Sequence, residues 1–236
     1  MTKIPIAATV ATEAAGGGGA SIGTYLESFK TAALNILNYT TYYAMKTRAG
    51  TVGNNGVAQL IDKLKVERIH LIGHSFGGRL VTAVAKGSTT DKLASLTLLQ
   101  AAFSHNGFSK IMGGFFREVV DAKRVTGPIV ITHSKNDTAV GLTYPIASRI
   151  NNDVTMAIGD ENDKFGGTGR NGAQKMESGE VDTNETLLRD TGERYAFSAG
   201  KFFNLRGDAF IANHGDVTNK QIVNAVLNAV AKPKGA

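Results

Sequence analysis

An α/β fold, with a mostly parallel central sheet and helices on both faces, is what this sequence predicts. Three observations carry the prediction. Short β-branched apolar runs such as Arg68-Ile69-His70-Leu71-Ile72 and Pro128-Ile129-Val130-Ile131-Thr132 alternate with longer stretches of helical spacing. A glycine-flanked serine, Gly73-His74-Ser75-Phe76-Gly77-Gly78, joins one such run to a helix-forming segment. The polar residues with chemical potential fall just after the apolar runs, which in a parallel sheet is the carboxyl end where sites form. At 236 residues and 42% hydrophobic, the chain suits one domain spanning 1–236 with an adequate core.

The elements follow in order. Ile4 to Val10 is a strand candidate, succeeded by the run Gly16-Gly17-Gly18-Gly19, so residues 1–20 read as a flexible or divergent N-terminal segment. Ser21 to Gly50 has helical spacing, with Leu26, Phe29, Ala33 and Leu37 on one face, and a second helix carries Val57, Leu60, Ile61 and Leu64. After the serine, Arg79 to Ala85 is helical. Strands are expected near Leu96 to Ala101 and from Ile129, the second running into the turn Ser134-Lys135-Asn136-Asp137. Asn151 to Glu193 is polar and glycine-rich and reads as a long loop insert over 151–193. The chain closes with a helix from Thr218 to Val230, its apolar positions Ile222, Val226 and Val230 evenly spaced.

The serine carries the chemistry. A turn this tight between strand and helix forces its central residue into a strained backbone conformation and crowds the flanking positions, so glycine is expected to be needed at Gly73 and Gly77. The Ser75 hydroxyl then stands clear of the sheet, beside a helix N-terminus whose amides and dipole favour a developing oxyanion. A serine needs a base, and the base needs an acid to fix its tautomer. Of five histidines, His70 and His74 lie too close to Ser75 along the strand to turn back on it. His105 and His133 lie at or just past later strand ends. His214 sits in a loop, with Gly215 beside it, before the C-terminal helix, which suits a base. Asp137 is the candidate acid, because the other available strand end, Ala102 to Gly107, holds no carboxylate. Asp208 and Asp216 are fallback carboxylates near His214 in sequence.

Strand-Gly73-His74-Ser75-Phe76-Gly77-Gly78-helix, the strand-then-Asp turn and the late loop histidine together resemble the α/β-hydrolase superfamily, over roughly residues 57 to 231. The resemblance implies Ser75 as nucleophile, His214 as general base and then acid, Asp137 as its orienting partner, and the Phe76 N-H as an oxyanion donor. It does not fix the bond attacked. Members usually carry several strands before the nucleophile strand, and a loop there, often opening with His-Gly, supplies a second oxyanion donor. This chain has no His-Gly before residue 73. A flexible linker on a shortened domain is the favoured reading of that region, with the glycine run as a replacement oxyanion loop as the alternative.

Between the second and third strands the segment is short, leaving no large lid. Phe103, Phe108, Phe115 and Phe116 are the substrate-binding candidates there, with core packing the competing role for aromatics at such spacing. Asp160, Glu161 and Asp163 match no calcium loop, and they read as a solvated acidic loop, so no metal and no cofactor is expected. Cysteine is absent, which excludes disulfides and thiolate chemistry. The net charge of +6 is scattered and accompanied by no nucleic-acid motif, so no nucleic-acid partner is expected. No run approaches a membrane span and no signal peptide is evident, giving a cytoplasmic expectation. The expected function is hydrolysis of a small-molecule carboxylic ester of short to medium acyl length through an acyl-enzyme. The alternatives are a thioesterase or amidase on the same residues, or a catalytically silent binding protein. An uncovered edge beside the serine strand would pair two chains as a homodimer.

Overall fold

A computed structural model describes residue 41, residues 44–140 and residues 166–231. The described residues belong to one unit, residues 41–236. The predicted N-terminal strand, the glycine run and Asp160, Glu161 and Asp163 lie outside the described residues.

The elements alternate as the patterning predicts. Helix α1 (residues 44–62) leads to β1 (Ile69–His74), α2 (Phe76–Gly87), β2 (Leu93–Leu99), α3 (Arg117–Asp121), β3 (Ile129–His133), α4 (Thr168–Asn171), β4 (Phe202–Arg206) and α5 (Lys220–Val230). The four strands form one all-parallel sheet in the order β1-β2-β3-β4. Each crossover therefore steps to the next strand in the same direction, and all carboxyl ends share one side of the molecule.

Both faces of the sheet are covered, because successive side chains of a strand point to opposite sides. On one face Leu71, Leu96, Leu98, Ile129, Ile131 and Phe202 pack with Ala83 and Val84 of α2, Ile61 of α1, and Phe103, Phe108 and Phe116. On the other, Leu99, Val130, Phe203 and Leu205 pack with Ile222, Ala225 and Ala229 of α5. Helix α5 begins cleanly because the Asn219 side chain accepts the Ile222 amide, a standard N-cap bond.

Three boundaries differ from the expectation. Residues 44–62 are continuously helical across the glycine-containing stretch where two helices are expected, and Gly53–Val57 is a π-helical segment inside the helix. A side chain at Gly53 would place its Cβ 2.3 Å from the Leu80 carbonyl, so the glycine allows α1 to lie directly against α2. Strand β2 begins three residues earlier than expected and ends at Leu99, where Gln100 turns the chain with a φ of +40°. Of the expected insert, residues 181–188 run along the sheet's far edge, where the amides of Asp182 and Leu188 donate to the carbonyls of Phe202 and Arg206, whereas Thr168 and Gly169 donate to the carbonyls of Phe103 and Ala101 beyond β2. No helix among the described residues is long and apolar enough to cross a membrane.

Candidate functional site

Ser75 sits between β1 and α2 with φ +54° and ψ −122°, a conformation that costs a non-glycine residue of order 1–3 kcal/mol. The surroundings hold it there. The Ser75 amide donates to the Leu99 carbonyl at 3.1 Å, and the Ser75 carbonyl accepts from the Gly78 and Ala102 amides at 3.0 Å each. A Cβ at Gly73 would stand 2.3 Å from the Gly77 carbonyl, and one at Gly78 would stand 2.7 Å from the Ala101 methyl. The expected need for glycine at Gly77 is corrected, since a Cβ there meets nothing within 4 Å. The crowding falls at Gly73 and Gly78, the two points where helix backbone meets strand ends.

Three strand ends bring the sequence-predicted polar residues together. His214 Nε2 lies 2.8 Å from Ser75 Oγ, and His214 Nδ1 lies 2.9 Å from Asp137 Oδ2. A carboxylate can only accept, so Nδ1 carries the proton it donates to Asp137, leaving Nε2 free to accept from the serine hydroxyl. Asp137 is fully buried; its second oxygen accepts the Val140 amide at 2.9 Å, at the start of a helical turn from Thr138. Both carboxylate oxygens are thus satisfied, which a buried charge requires. Phe76, the first residue of α2, follows Ser75 directly. Asp208 and Asp216 do other work: Asp208 accepts the Lys135 amide at 2.8 Å, and Asp216 accepts the Ala212 amide at 3.1 Å.

Two residues that sequence reasoning passed over secure His214 from behind. His74 Nε2 donates to the His214 carbonyl at 2.8 Å, its ring 4.7 Å from that of His214. Burial pulls the His74 imidazolium below its ordinary range, while the bond to the His214 carbonyl pulls the other way. Gln100, fully buried, donates from Nε2 toward the carbonyls of His214 and Asp216 at 3.4 and 3.3 Å, while its Oε1 accepts from Thr132 Oγ1 at 3.0 Å. A lone amide closing an otherwise apolar strand was the available signal for Gln100.

The chain running on from Ala102 walls a cavity of about 400 Å³ that neither Ser75 nor His214 lines. Phe103, Met112, Phe115 and Phe116 form its apolar side, and Lys46, Arg79, Ser104 and Asn106 its polar side. Burial and the neighbouring Arg79 guanidinium pull the Lys46 ammonium down to about 8. Of the predicted substrate residues, Phe115 is exposed, whereas Phe103 and Phe116 present little surface. Phe108 does not line the cavity; it is a core residue whose ring stacks edge-on against Phe103 and Phe202.

A serine on a strand-to-helix elbow at the carboxyl end of a parallel sheet, with helices on both faces, defines a protein of α/β-hydrolase type. Residues 54–124, from the π-helical turn of α1 to just beyond α3, match the family model described as alpha/beta hydrolase fold. That match supports membership of the α/β-hydrolase superfamily, and hydrolase is the class of enzyme it supports. Comparisons with curated proteins and with solved structures found no match.

Proposed function

We propose that the protein is a serine hydrolase of carboxylic esters, acting through an acyl-enzyme. The observation that carries this reading is the unbroken chain Ser75 Oγ, His214 Nε2, His214 Nδ1, Asp137 Oδ2, with links of 2.8 and 2.9 Å. His214 Nε2 takes the serine proton as Oγ attacks the ester carbonyl, and Asp137 stabilises the imidazolium that forms. The carbonyl oxygen becomes an oxyanion facing the amide of Phe76 at the start of α2. His214 then passes the proton to the departing alcohol oxygen, leaving acyl-Ser75. Water attacks that ester by the same route, with His214 again as base, and frees the acid. We assign a short to medium acyl group to the cavity walled by Phe103, Phe115 and Phe116, because its size and apolar side fit such a chain.

Hydrolysis of p-nitrophenyl esters of increasing acyl length tests the reading. Turnover is expected in the parent with a maximum at short or medium chains. It should fall about 10⁶-fold in kcat for Ser75→Ala, and about 10⁴-fold for Asp137→Asn, which leaves His214 in the wrong tautomer. A folded parent that neither turns over any ester nor is labelled by a fluorophosphonate would sink the proposal and favour a binding protein.

A further inference from the structure

A second cavity, of about 350 Å³, opens at the carboxyl ends of β3 and β4, and neither Ser75 nor His214 lines it. Its walls hold three cationic side chains, Lys135, Arg170 and Arg206, against a single carboxylate, Asp182. Strand register brings this about: His133 pairs with Arg206 across β3 and β4, Lys135 follows two residues later, and Arg170 comes from α4, donating from its guanidinium to the Lys135 carbonyl. The cations are poorly neutralised. Arg206 has Asp208 at 3.8 Å, beyond hydrogen-bond reach, and among the described residues neither Lys135 nor Arg170 has a carboxylate partner. Arg117, by contrast, lies within 3.1 Å of Asp121, Glu177 and Glu180, as an arginine does when it only ties elements together.

Like charges gathered round one hollow repel, and a bound anion relieves that repulsion while accepting several charge-assisted hydrogen bonds. The remaining walls are suited to a polyol. Gln174, Thr183 and Thr186 offer amide and hydroxyl groups, and His133, whose Nδ1 donates to the Arg170 carbonyl at 3.1 Å, keeps Nε2 as an acceptor. Guanidinium forks match a tetrahedral, many-oxygen dianion better than a single point charge would.

We propose that this cavity binds a small phosphorylated metabolite, its phosphoryl group held by Lys135, Arg170 and Arg206 and its hydroxyl-bearing part by the polar walls. The site is independent of the ester reading. Its occupant would nevertheless touch the turn that carries Asp137, because Lys135 lies two residues before it and the Lys135 amide is tied to Asp208.

Calorimetric titration with inorganic phosphate and with ribose 5-phosphate, at constant ionic strength and with unphosphorylated ribose alongside, tests this. Saturable binding of at least one phosphorylated probe is expected in the parent. Affinity should fall at least tenfold in the Arg170→Gln, Arg206→Gln double variant and stay unchanged in a Lys63→Gln, Lys65→Gln control that removes the same charge from the exposed end of α1. Should the double variant fail to melt cooperatively, Lys135→Gln, an exposed side chain, takes its place with the same expectation. The proposal is overturned by no saturable binding of either probe, by equal binding of ribose, or by losses as large in the control as in the cavity variants.

Discussion

Gln100 shows how much a single buried amide can govern. Its Oε1 reaches across to Thr132 on β3 and its Nε2 toward the loop that carries His214, so one side chain links two strands to that loop. Truncation in Gln100→Ala would leave the buried Thr132 hydroxyl without its acceptor and the His214 carbonyl held by His74 alone. The expected cost is about 1–3 kcal/mol of stability by urea unfolding. A fall in kcat with KM little changed is expected beside it, since the loop would no longer hold the imidazole in line. Equal kcat in the folded variant would show that His74 and the Asp137 bond suffice. At this scale the sequence was legible where a residue type is scarce and the chemistry demanding: five histidines and one strand-end carboxylate left few ways to serve Ser75. It was less legible for His74, excluded as a base by its nearness to Ser75, because donation to a backbone carbonyl 140 residues away has no local signature.

At the level of elements, the turn between β1 and α2 is decided by two close approaches of backbone. Gly73→Ala drives a methyl into the Gly77 carbonyl, and Gly78→Ala meets the Ala101 methyl. Gly77→Ala meets open space and replaces glycine within a helix, which on propensity alone is favourable by up to about 1 kcal/mol. Thermal melts should therefore rank Gly77→Ala at or above the parent and the other two below it, with Gly73→Ala lowest; loss of the fold in Gly77→Ala would contradict this geometry. The strand and helix alternation was readable from periodicity, as were β1, α2 and α5. The exact span of β2 was not, because Leu93 to Ala102 is apolar enough that pattern alone cannot say where pairing stops. A last strand is expected after the insert, but the bounds of β4 were hidden for a related reason: Asn204 interrupts Phe202 to Arg206, although its side chain is satisfied by the amide and carbonyl of Ala173. The continuous helix through Gly53 was equally hidden, since glycine punctuates a sequence whether it breaks a helix or lets it approach a neighbour.

For the molecule as a whole, His133 makes stability depend on pH. Burial holds its imidazolium down at about 4, against an ordinary value of 6.5. Above about pH 6.5 the ring is neutral in both folded and unfolded chains and exacts no penalty. As the pH falls from there toward 4, the unfolded chain binds a proton that the folded one refuses, and stability drops by on the order of 3 kcal/mol. Urea midpoints measured between pH 7 and pH 4 should fall more steeply in the parent than in His133→Asn, which has no proton to gain. Parallel slopes would assign the acid sensitivity to other groups.

The sequential order of the sheet also sets when the site comes into being. Ser75 lies at the end of the first strand and His214 beyond the fourth, 139 residues later, and the loop that holds His214 is fastened by α5. A chain emerging from the ribosome would complete the elbow early yet carry a serine with no histidine beside it until almost all of the described sequence had been made. On the proposed reading, ester cleavage would then report the last step of assembly, and a newly made chain would remain chemically inert toward its surroundings until that step was complete.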